Sequence, residues 1–286
     1  MRVHHIDCGT MCPLGARLLG GRGGWLERGR LVCHCLVVET KDGLTLVDTG
    51  LGTADIDQPR RRLGGVFLAV TGPRLLRDQT ALAQIERLGY RRDDVRDIVP
   101  THLDLDHVGG LSDFPEARVH VFEPELRAAT ERATRRERSR YRAAQMRHGP
   151  RWVPHRVEGD TWMGFERVRV LGDDVALVPL AGHTRGHCAV AVRDGARWLV
   201  HAGDAYFFRG EMRPEAPWGA PGLSLLQRLI AFDDEARRRN QDRLRSLVRD
   251  HGDEVRVFCA HDPVELEAFP APEPRPAVTT TFVASA

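Results

Sequence analysis

One ten-residue segment limits the possible folds of this chain more than any other feature. The segment, THLDLDHVGG at residues 101–110, places four potential metal ligands within six positions: His102, Asp104, Asp106 and His107. It follows the apolar run DIVP, which is typical of a buried strand, so the ligands begin where a strand ends and a loop starts. In an extended chain His102 and Asp104 point to the same side, because side chains alternate with a period of two. The pattern fits either a metal site at a strand end or a polar turn.

Three later segments favour the metal site over the polar turn. They are LAGHTRGH at residues 180–187, VHAGDAYF at residues 200–207 and VFCAHD at residues 257–262. Each begins with an apolar, strand-like run and ends in a part that carries a histidine or an aspartate near a small residue. Strand ends therefore supply ligand-type side chains repeatedly along the chain, which a polar turn does not require.

Apolar and β-branched runs bounded by glycine or aspartate predict eight strands. They cover residues 31–39, 44–48, 97–100, 118–122, 175–179, 189–193, 197–201 and 255–259. The turn sequences KDG and RDGAR predict hairpins between two pairs of neighbouring strands.

Helical periodicity is clearest in DQTALAQIERLGY, where Leu82, Ile85 and Leu88 fall on one face. Asp78 is the predicted cap at the start of this helix, and Gly89 the predicted end. Two later runs, LSLLQRLIAF and QDRLRSLVRDHG, repeat the pattern. Strands and helices therefore alternate irregularly, which indicates mixed β-sheets covered by helices.

A charged, helix-favouring stretch at about residues 123–150 interrupts the strand pattern. It fits two interpretations: a charged surface helix, or a helical cover over an active site with Tyr141 and Met146 facing inward. Because no repeat or linker divides the chain, we expect a single domain over residues 1–269. The proline-rich tail, residues 270–286, is expected to be poorly ordered.

Together these segments resemble the metallo-β-lactamase superfamily. The family pattern runs from an early DTG through H-x-H-x-D-H and G-H-T-x-G-H to a G-D pair and a histidine after a late strand. In this chain LVDTG, HLDLDH, GHTRGH, GDA and His261 occur in that order. The resemblance implies an α/β fold, a four-layer αββα sandwich of two mixed β-sheets flanked by helices, with two metal ions at one edge of the sheets.

The same resemblance implies which side chains bind the two ions. Two sets of three are expected to hold them: His102, Asp104 and His183 for the first ion, and Asp106, His107 and His261 for the second. Asp204 is expected to bridge both ions. Asp48 is expected to orient the ligand loop without binding metal itself, and His187 to support the loop that carries His183.

This chain departs from the family pattern at Asp104, where the family carries a histidine. We expect two divalent metal ions, and zinc in the first place, because zinc accepts carboxylate oxygen as well as imidazole. A carboxylate is a harder ligand that adds negative charge, so iron and manganese stay open as alternatives. A weakened first site also leaves open the binding of a single ion in the second.

Two neighbouring divalent ions imply metal-assisted hydrolysis. Metal binding lowers the pKa of water from 15.7 to about 7, which supplies a metal-bridging hydroxide as nucleophile. The chain contains no G-x-S-x-G motif for a serine nucleophile. Asp106 is expected to carry the proton to the leaving group, and Tyr206 to hydrogen-bond the substrate.

Within the superfamily the chain looks most like the N-acyl homoserine lactonase-type hydrolases, which implies that it opens a lactone or a related ester. Those enzymes usually place a tyrosine three residues after the bridging aspartate, whereas here Tyr206 comes two residues after it and Phe207 holds the third position. Two alternatives stay open: a thioesterase of the glyoxalase II type, and a non-hydrolytic diiron redox or ligand-binding protein on the same fold.

Composition limits the partners of the chain. The formal net charge is +2, with 42 basic and 40 acidic residues, which argues against a nucleic acid or a membrane as partner. The amino terminus lacks the apolar run of a secretory signal, so we expect a cytoplasmic protein. The six cysteines are expected to be reduced and mostly buried. We expect a monomer or a homodimer that acts on a small-molecule substrate.

Overall fold

The computed structural model describes residues 1–21 and 23–274. Its first sheet contains six strands, which neighbour one another in chain order: β1 (Arg2–Asp7), β2 (His34–Thr40), β3 (Gly43–Val47), β4 (Val95–Val99), β5 (Arg118–Phe122) and β6 (Arg151–His155). The first three strands are antiparallel and the last four run parallel, so the sheet is mixed. The predicted KDG turn closes the β2–β3 hairpin, in which Thr40 pairs with Gly43.

A two-stranded hairpin and a second sheet follow in the chain. The hairpin consists of β7 (Thr161–Trp162) and β8 (Phe165–Glu166), and the second sheet of β9 (Val168–Leu171), β10 (Val175–Pro179), β11 (Cys188–Asp194), β12 (Arg197–His201) and β13 (Val255–Phe258). The order in the second sheet is β13-β12-β11-β10-β9, with only the β12–β13 pair parallel.

The described residues form twelve α-helices. They are α1 (Ala16–Gly20), α2 (Thr53–Asp57), α3 (Pro59–Arg62), α4 (Gly65–Thr71), α5 (Ala81–Arg87), α6 (Leu105–Val108), α7 (Glu123–Glu131), α8 (Arg135–Arg140), α9 (Ala143–Met146), α10 (Pro221–Ile230), α11 (Asp234–His251) and α12 (Pro263–Glu267). No helix in this part of the chain is both long and apolar enough to cross a lipid bilayer.

Three hydrophobic clusters define the layers. Alternate side chains of β11 illustrate them: Val190 and Val192 pack between the two sheets, whereas Ala189 and Ala191 face α11 on the outside. The first sheet packs its other face against α5 and α7 in the same way. Because both faces of each sheet are buried, the strands are apolar on both sides. The expected four-layer αββα sandwich is confirmed.

Most predicted strands lie within a few residues of their observed bounds, and β5, β10 and β12 match them. The strand predicted at residues 31–39 begins only at His34, because Leu31 and Cys33 contact the segment after β1 instead. The sequence patterns missed β1, β6, β7, β8 and β9. All six cysteines are unpaired and buried, as predicted.

Two helix predictions need correction. Thr80, not Asp78, caps α5, because Thr80 directly precedes the first helical residue and its hydroxyl accepts a hydrogen bond from Ala83 N at 3.2 Å. The region at 123–150 is not one charged surface helix but three short helices with buried polar side chains. The predicted tail falls partly on residues 275–286, which lie outside the described residues.

Candidate metal centre

The ligand-type side chains come from strand ends of both sheets. In the first sheet, β4 leads to His102 and then to α6, whose first turn carries Asp106 and His107. In the second sheet, β10, β12 and β13 lead to the segments with His183, Asp204 and His261. The predicted repetition of ligands at strand ends therefore corresponds to one edge of the sandwich, where these segments meet.

Six of the seven predicted ligands form two groups of three. One group is His102, His183 and Asp204; the other is Asp106, His107 and His261. Within each group the ligand atoms lie within 4.8 Å of one another, and five of the six side chains are buried.

Asp204 lies between the two groups. Its Oδ1 is 3.0 Å from His261 Nε2 and 3.3 Å from His107 Nε2, while its Oδ2 is 3.3 Å from His183 Nε2 and 3.9 Å from His102 Nε2. Each carboxylate oxygen thus faces a different pair of imidazoles. This position would suit a bridging ligand, and the bridging role of Asp204 stays a prediction.

The outer nitrogen of three of the four imidazoles is held by a neighbouring oxygen, whereas His183 Nδ1 is buried without a hydrogen-bond partner. His107 Nδ1 is 2.8 Å from Asp48 Oδ2, His261 Nδ1 is 2.7 Å from the Val32 carbonyl, and His102 Nδ1 is 3.0 Å from Thr101 Oγ1. A hydrogen bond at Nδ1 fixes the ring orientation and leaves Nε2 as the inward acceptor. The surrounding shell is therefore arranged to present nitrogen lone pairs.

Asp48 is the main organiser of the ligand loop, as predicted. Besides contacting His107, its carboxylate accepts hydrogen bonds from the backbone N–H and the hydroxyl of Thr101. Its backbone adopts the left-handed region, with a φ of 56°, which is unusual for a residue with a side chain. The strained conformation aims the carboxylate at the ligand loop.

Electrostatics prepare these groups for a cation. Burial, and then the nearby Arg140 guanidinium, lower the pKa of His183 to about 4, so its imidazole is neutral near pH 7. Burial alone would raise the pKa of Asp204, but the charges of His261 and His107 hold that pKa well below its usual value. Burial alone would lower the pKa of His107 and His261, but the charge of Asp204 raises both. The centre thus combines an ionised carboxylate with imidazoles, of which His107 and His261 would release a proton on binding a cation.

Several inward atoms have no hydrogen-bond partner. His102 Nε2, His107 Nε2 and Asp204 Oδ1 are buried and form no hydrogen bond, although a buried polar atom normally has one. Divalent cations would satisfy all three atoms. Imidazole nitrogen and carboxylate oxygen are zinc ligands, and a carboxylate-rich set also suits iron and manganese. The residues therefore fit the metal ions that the family implies.

Asp104 belongs to neither group of three, although its Oδ2 lies 3.0 Å from His183 Nε2 and 3.4 Å from His102 Nε2. Its other oxygen, Oδ1, is 3.2 Å from Nε of Arg140 in α8. The Arg140 guanidinium also donates hydrogen bonds to the carbonyls of His183 and Ile230 at 2.6 and 2.8 Å. An arginine therefore balances the carboxylate that replaces the family histidine.

Glu125 in α7 ties the insert to both ligand loops. It accepts hydrogen bonds from Leu103 N, Gly186 N and the Thr184 hydroxyl at 3.0, 3.0 and 2.7 Å, and from the Tyr141 hydroxyl at 3.0 Å. Sequence reasoning missed Glu125 and Arg140 because neither stands in a motif. Only the alternative interpretation of the insert, with Tyr141 facing inward, pointed towards this contact.

We expect Glu125→Gln to lower the free energy of unfolding by about 1–3 kcal/mol, because the amide would place N–H groups against donors in a buried position. Chemical denaturation of the variant and the wild type measures this loss. Glu123→Gln, in the same helix but at the surface, is the matched control and should leave stability nearly unchanged. Equal stability of the two variants would contradict the structural role of Glu125.

His187 and Tyr206 both lie outside the two ligand groups. His187 Nε2 accepts a hydrogen bond from Asp204 N at 2.9 Å, which is the loop-supporting position predicted for it. The fully buried Tyr206 donates its hydroxyl hydrogen bond to Glu265 at 3.0 Å. This contact gives no support to the predicted role of Tyr206 in substrate binding. The neighbouring Phe207 does contact a ligand, since the centroid of its ring lies 4.9 Å from that of the His261 ring.

Known proteins are similar to this chain in sequence and in fold. The chain is 45% identical over 268 residues to a probable metallo-hydrolase of Mycobacterium tuberculosis. The aligned region covers 92% of this chain and 81% of that protein. It is 24% identical over 236 residues to an N-acyl homoserine lactonase of Bacillus cereus, covering 80% of each chain. A solved N-acyl homoserine lactone hydrolase, with the product N-hexanoyl-L-homoserine at its catalytic metal centre, superimposes with a TM-score of 0.69 at 22% identity, over 94% of this chain and 96% of that one.

A family model matches most of the chain. The model of the metallo-beta-lactamase superfamily matches residues 28–261, a range that includes Asp48 and every predicted ligand. The match and the 45% identity extend over most of the chain. The chain therefore belongs to the metallo-β-lactamase superfamily.

Proposed function

We propose that this protein is a metal-dependent hydrolase that opens a lactone or a related carboxylic ester. The observation that carries the proposal is the position of Asp204 between two groups of three ligands, with its two oxygens facing different imidazole pairs. Divalent ions held by these residues lower the pKa of water and polarise a carbonyl group. We propose zinc as the native metal, with iron or manganese as the alternatives because of Asp104.

The remaining roles fall to side chains around the ligands. Asp106 is more exposed than Asp204, with 12% against 5% of its side chain accessible, so it can exchange a proton with a leaving group. The Phe207 ring lies beside His261 and His183 and offers an apolar wall for the part of a substrate next to the reacting carbonyl.

The choice of a lactone rests on the relatives. The lactonase of Bacillus cereus and the solved lactone hydrolase match at least 80% of the chain, although at low identity. A direct test purifies the protein without added metal, measures its metal content, and compares initial rates on N-acyl homoserine lactones, simple lactones, aryl esters and a thioester. Preference for lactones is expected. Exclusive cleavage of the thioester would favour the thioesterase alternative, and absence of any turnover by fully loaded protein would contradict hydrolysis.

We expect Asp204→Asn to reduce the metal content from two ions per chain to one or fewer. Asparagine is neutral and has a single acceptor oxygen, so it cannot present one anionic oxygen to each group. Elemental analysis after dialysis measures the stoichiometry. Asp194→Asn, at the exposed last residue of β11, is the matched control and should keep the wild-type content. Two tightly bound ions in Asp204→Asn would exclude the bridging role.

A further inference from the structure

The exposed hydrophobic side chains of this protein are concentrated in three segments, residues 13–30, 58–77 and 213–232. Among the described residues, 13 large hydrophobic side chains are exposed, and 11 of them lie in these segments. The most exposed are Leu26 and Val66, at 89% and 81%. We call the surface formed by the three segments the apolar-basic face.

The three segments adjoin one another. A Cβ added to Gly21 would lie 2.7 Å from the Trp218 ring, and one added to Gly222 would lie 2.6 Å from Leu18, so the first segment lies against α10. On its other side, Cys12 N, just before the first segment, donates a hydrogen bond to the Thr71 carbonyl at the end of α4. The first segment therefore joins α4 and α10 into one continuous surface.

This face borders the candidate metal centre from two sides. Leu19 and Leu223 pack with Phe207, whose ring contacts His261. On the opposite side, α4 packs with Leu105, which lies between the predicted ligands Asp104 and Asp106. A partner bound to the apolar-basic face would therefore lie next to the edge of the sandwich that contains the candidate metal centre.

The face is also strongly basic. Its three segments contain 11 arginines and 2 acidic residues, whereas the whole chain contains 42 basic and 40 acidic residues. The rest of the chain is therefore acidic, with 31 basic and 38 acidic residues. Arg62 is buried and paired with Asp55, and Arg30 and Arg77 are also paired with carboxylates, but Arg17, Arg60 and Arg74 are exposed and form no ion pair within the described part of the chain. The net charge of +2 conceals this asymmetry.

We infer that the apolar-basic face docks on the surface of an anionic phospholipid bilayer. Leucine, valine and tryptophan tips beside arginines are the side chains that insert at the boundary between headgroups and acyl chains. A second copy of the chain is a poorer partner, because a symmetric interface would bring arginines of the two copies together. The two most exposed side chains, Leu26 and Val66, lie on separate segments. A deformable lipid surface accommodates such side chains more easily than a rigid pocket in a partner protein. The total charge argues against a membrane partner, whereas the distribution of the charge supports one.

Sedimentation with lipid vesicles tests the inference on the full-length protein. Vesicles of equal parts phosphatidylglycerol and phosphatidylcholine should bind the protein at low salt, and pure phosphatidylcholine vesicles should bind it much less. Arg60→Glu/Arg61→Glu should reduce the partition coefficient for the anionic vesicles by at least about tenfold. Leu26→Ser/Val66→Ser should reduce it by about tenfold through loss of apolar insertion.

The matched control is Arg96→Glu/Arg197→Glu, which changes the same charge on exposed arginines at the strand ends remote from the ligands. It should bind vesicles as the wild type does. No binding to anionic vesicles, or equal loss in the control, would overturn the inference. So would a wild-type dimer in light scattering that Leu26→Ser/Val66→Ser dissociates, because the face would then be an interface between copies. Binding requires neither metal nor turnover, so this result is independent of the proposed hydrolysis.

Discussion

Replacement of His102 or His261 by alanine is expected to abolish hydrolysis and to remove bound metal. Each residue belongs to a different group of three ligands, and each presents Nε2 towards Asp204 while its Nδ1 is held by an oxygen of the surrounding chain. Without a full ligand set, water keeps a pKa nearer 15.7 than about 7, so kcat/KM should fall by at least about a thousandfold. Elemental analysis and initial rates on the preferred ester measure both losses.

His187→Ala is the matched control for these two variants. His187 is as deeply buried as His102, but it contacts the Leu180 carbonyl and the backbone of Asp204 instead of facing a ligand group. Its loss should lower the free energy of unfolding by about 1–3 kcal/mol while most of the metal stays bound. Equal loss of metal in all three variants would refute the distinction between ligand and support.

The second large effect is expected at the Asp104–Arg140 pair. Asp104→His restores the family's usual ligand type but leaves the Arg140 guanidinium, which is 14% exposed, without its carboxylate and close to the metal centre. Removal of one member of a buried ion pair costs about 3–5 kcal/mol of stability. The unpaired guanidinium would also repel a cation at the centre, so metal affinity in Asp104→His should fall by at least about a hundredfold. The additional change Arg140→Met removes the unpaired charge. The double variant should therefore bind metal within about tenfold of the wild type. The effects of the two substitutions on metal affinity should be strongly non-additive, as is usual for residues in contact.

Competitive titration with a chelator measures these dissociation constants for the wild type, both single variants and the double variant. Thermal denaturation of the metal-free proteins gives the stability part of the same cycle, because Arg140 also holds the carbonyls of His183 and Ile230. Undiminished affinity in Asp104→His alone, or purely additive effects, would show that Arg140 does not compensate for the exchanged ligand. Arg136→Met, from the exposed part of the same helix, serves as the control.

The sequence allowed the centre to be predicted because most of its ligands follow strand ends within short motifs. Each ligand segment has an apolar strand before it and a small residue near it, which is a local pattern. Arg140 and Glu125 have no such pattern, since their partners lie in distant segments and are defined only by the packing of the insert. Among the missed strands, β6 contains Pro154, which suits an edge strand but weakens the signal of a strand in the sequence. The total charge likewise said nothing of how arginines are distributed over the surface.

The two ligand groups draw on both sheets, and this has a consequence for folding. His102, Asp106 and His107 follow β4 of the first sheet, whereas His183, Asp204 and His261 follow strands of the second. Cations bound at this edge would link the two sheets. They would also stabilise the folded state relative to the unfolded chain, because the unfolded chain has no comparable site. Ligand present at a thousand times its dissociation constant stabilises a native state by about 4.1 kcal/mol. The concentration of available metal would thus control the lifetime of the folded protein.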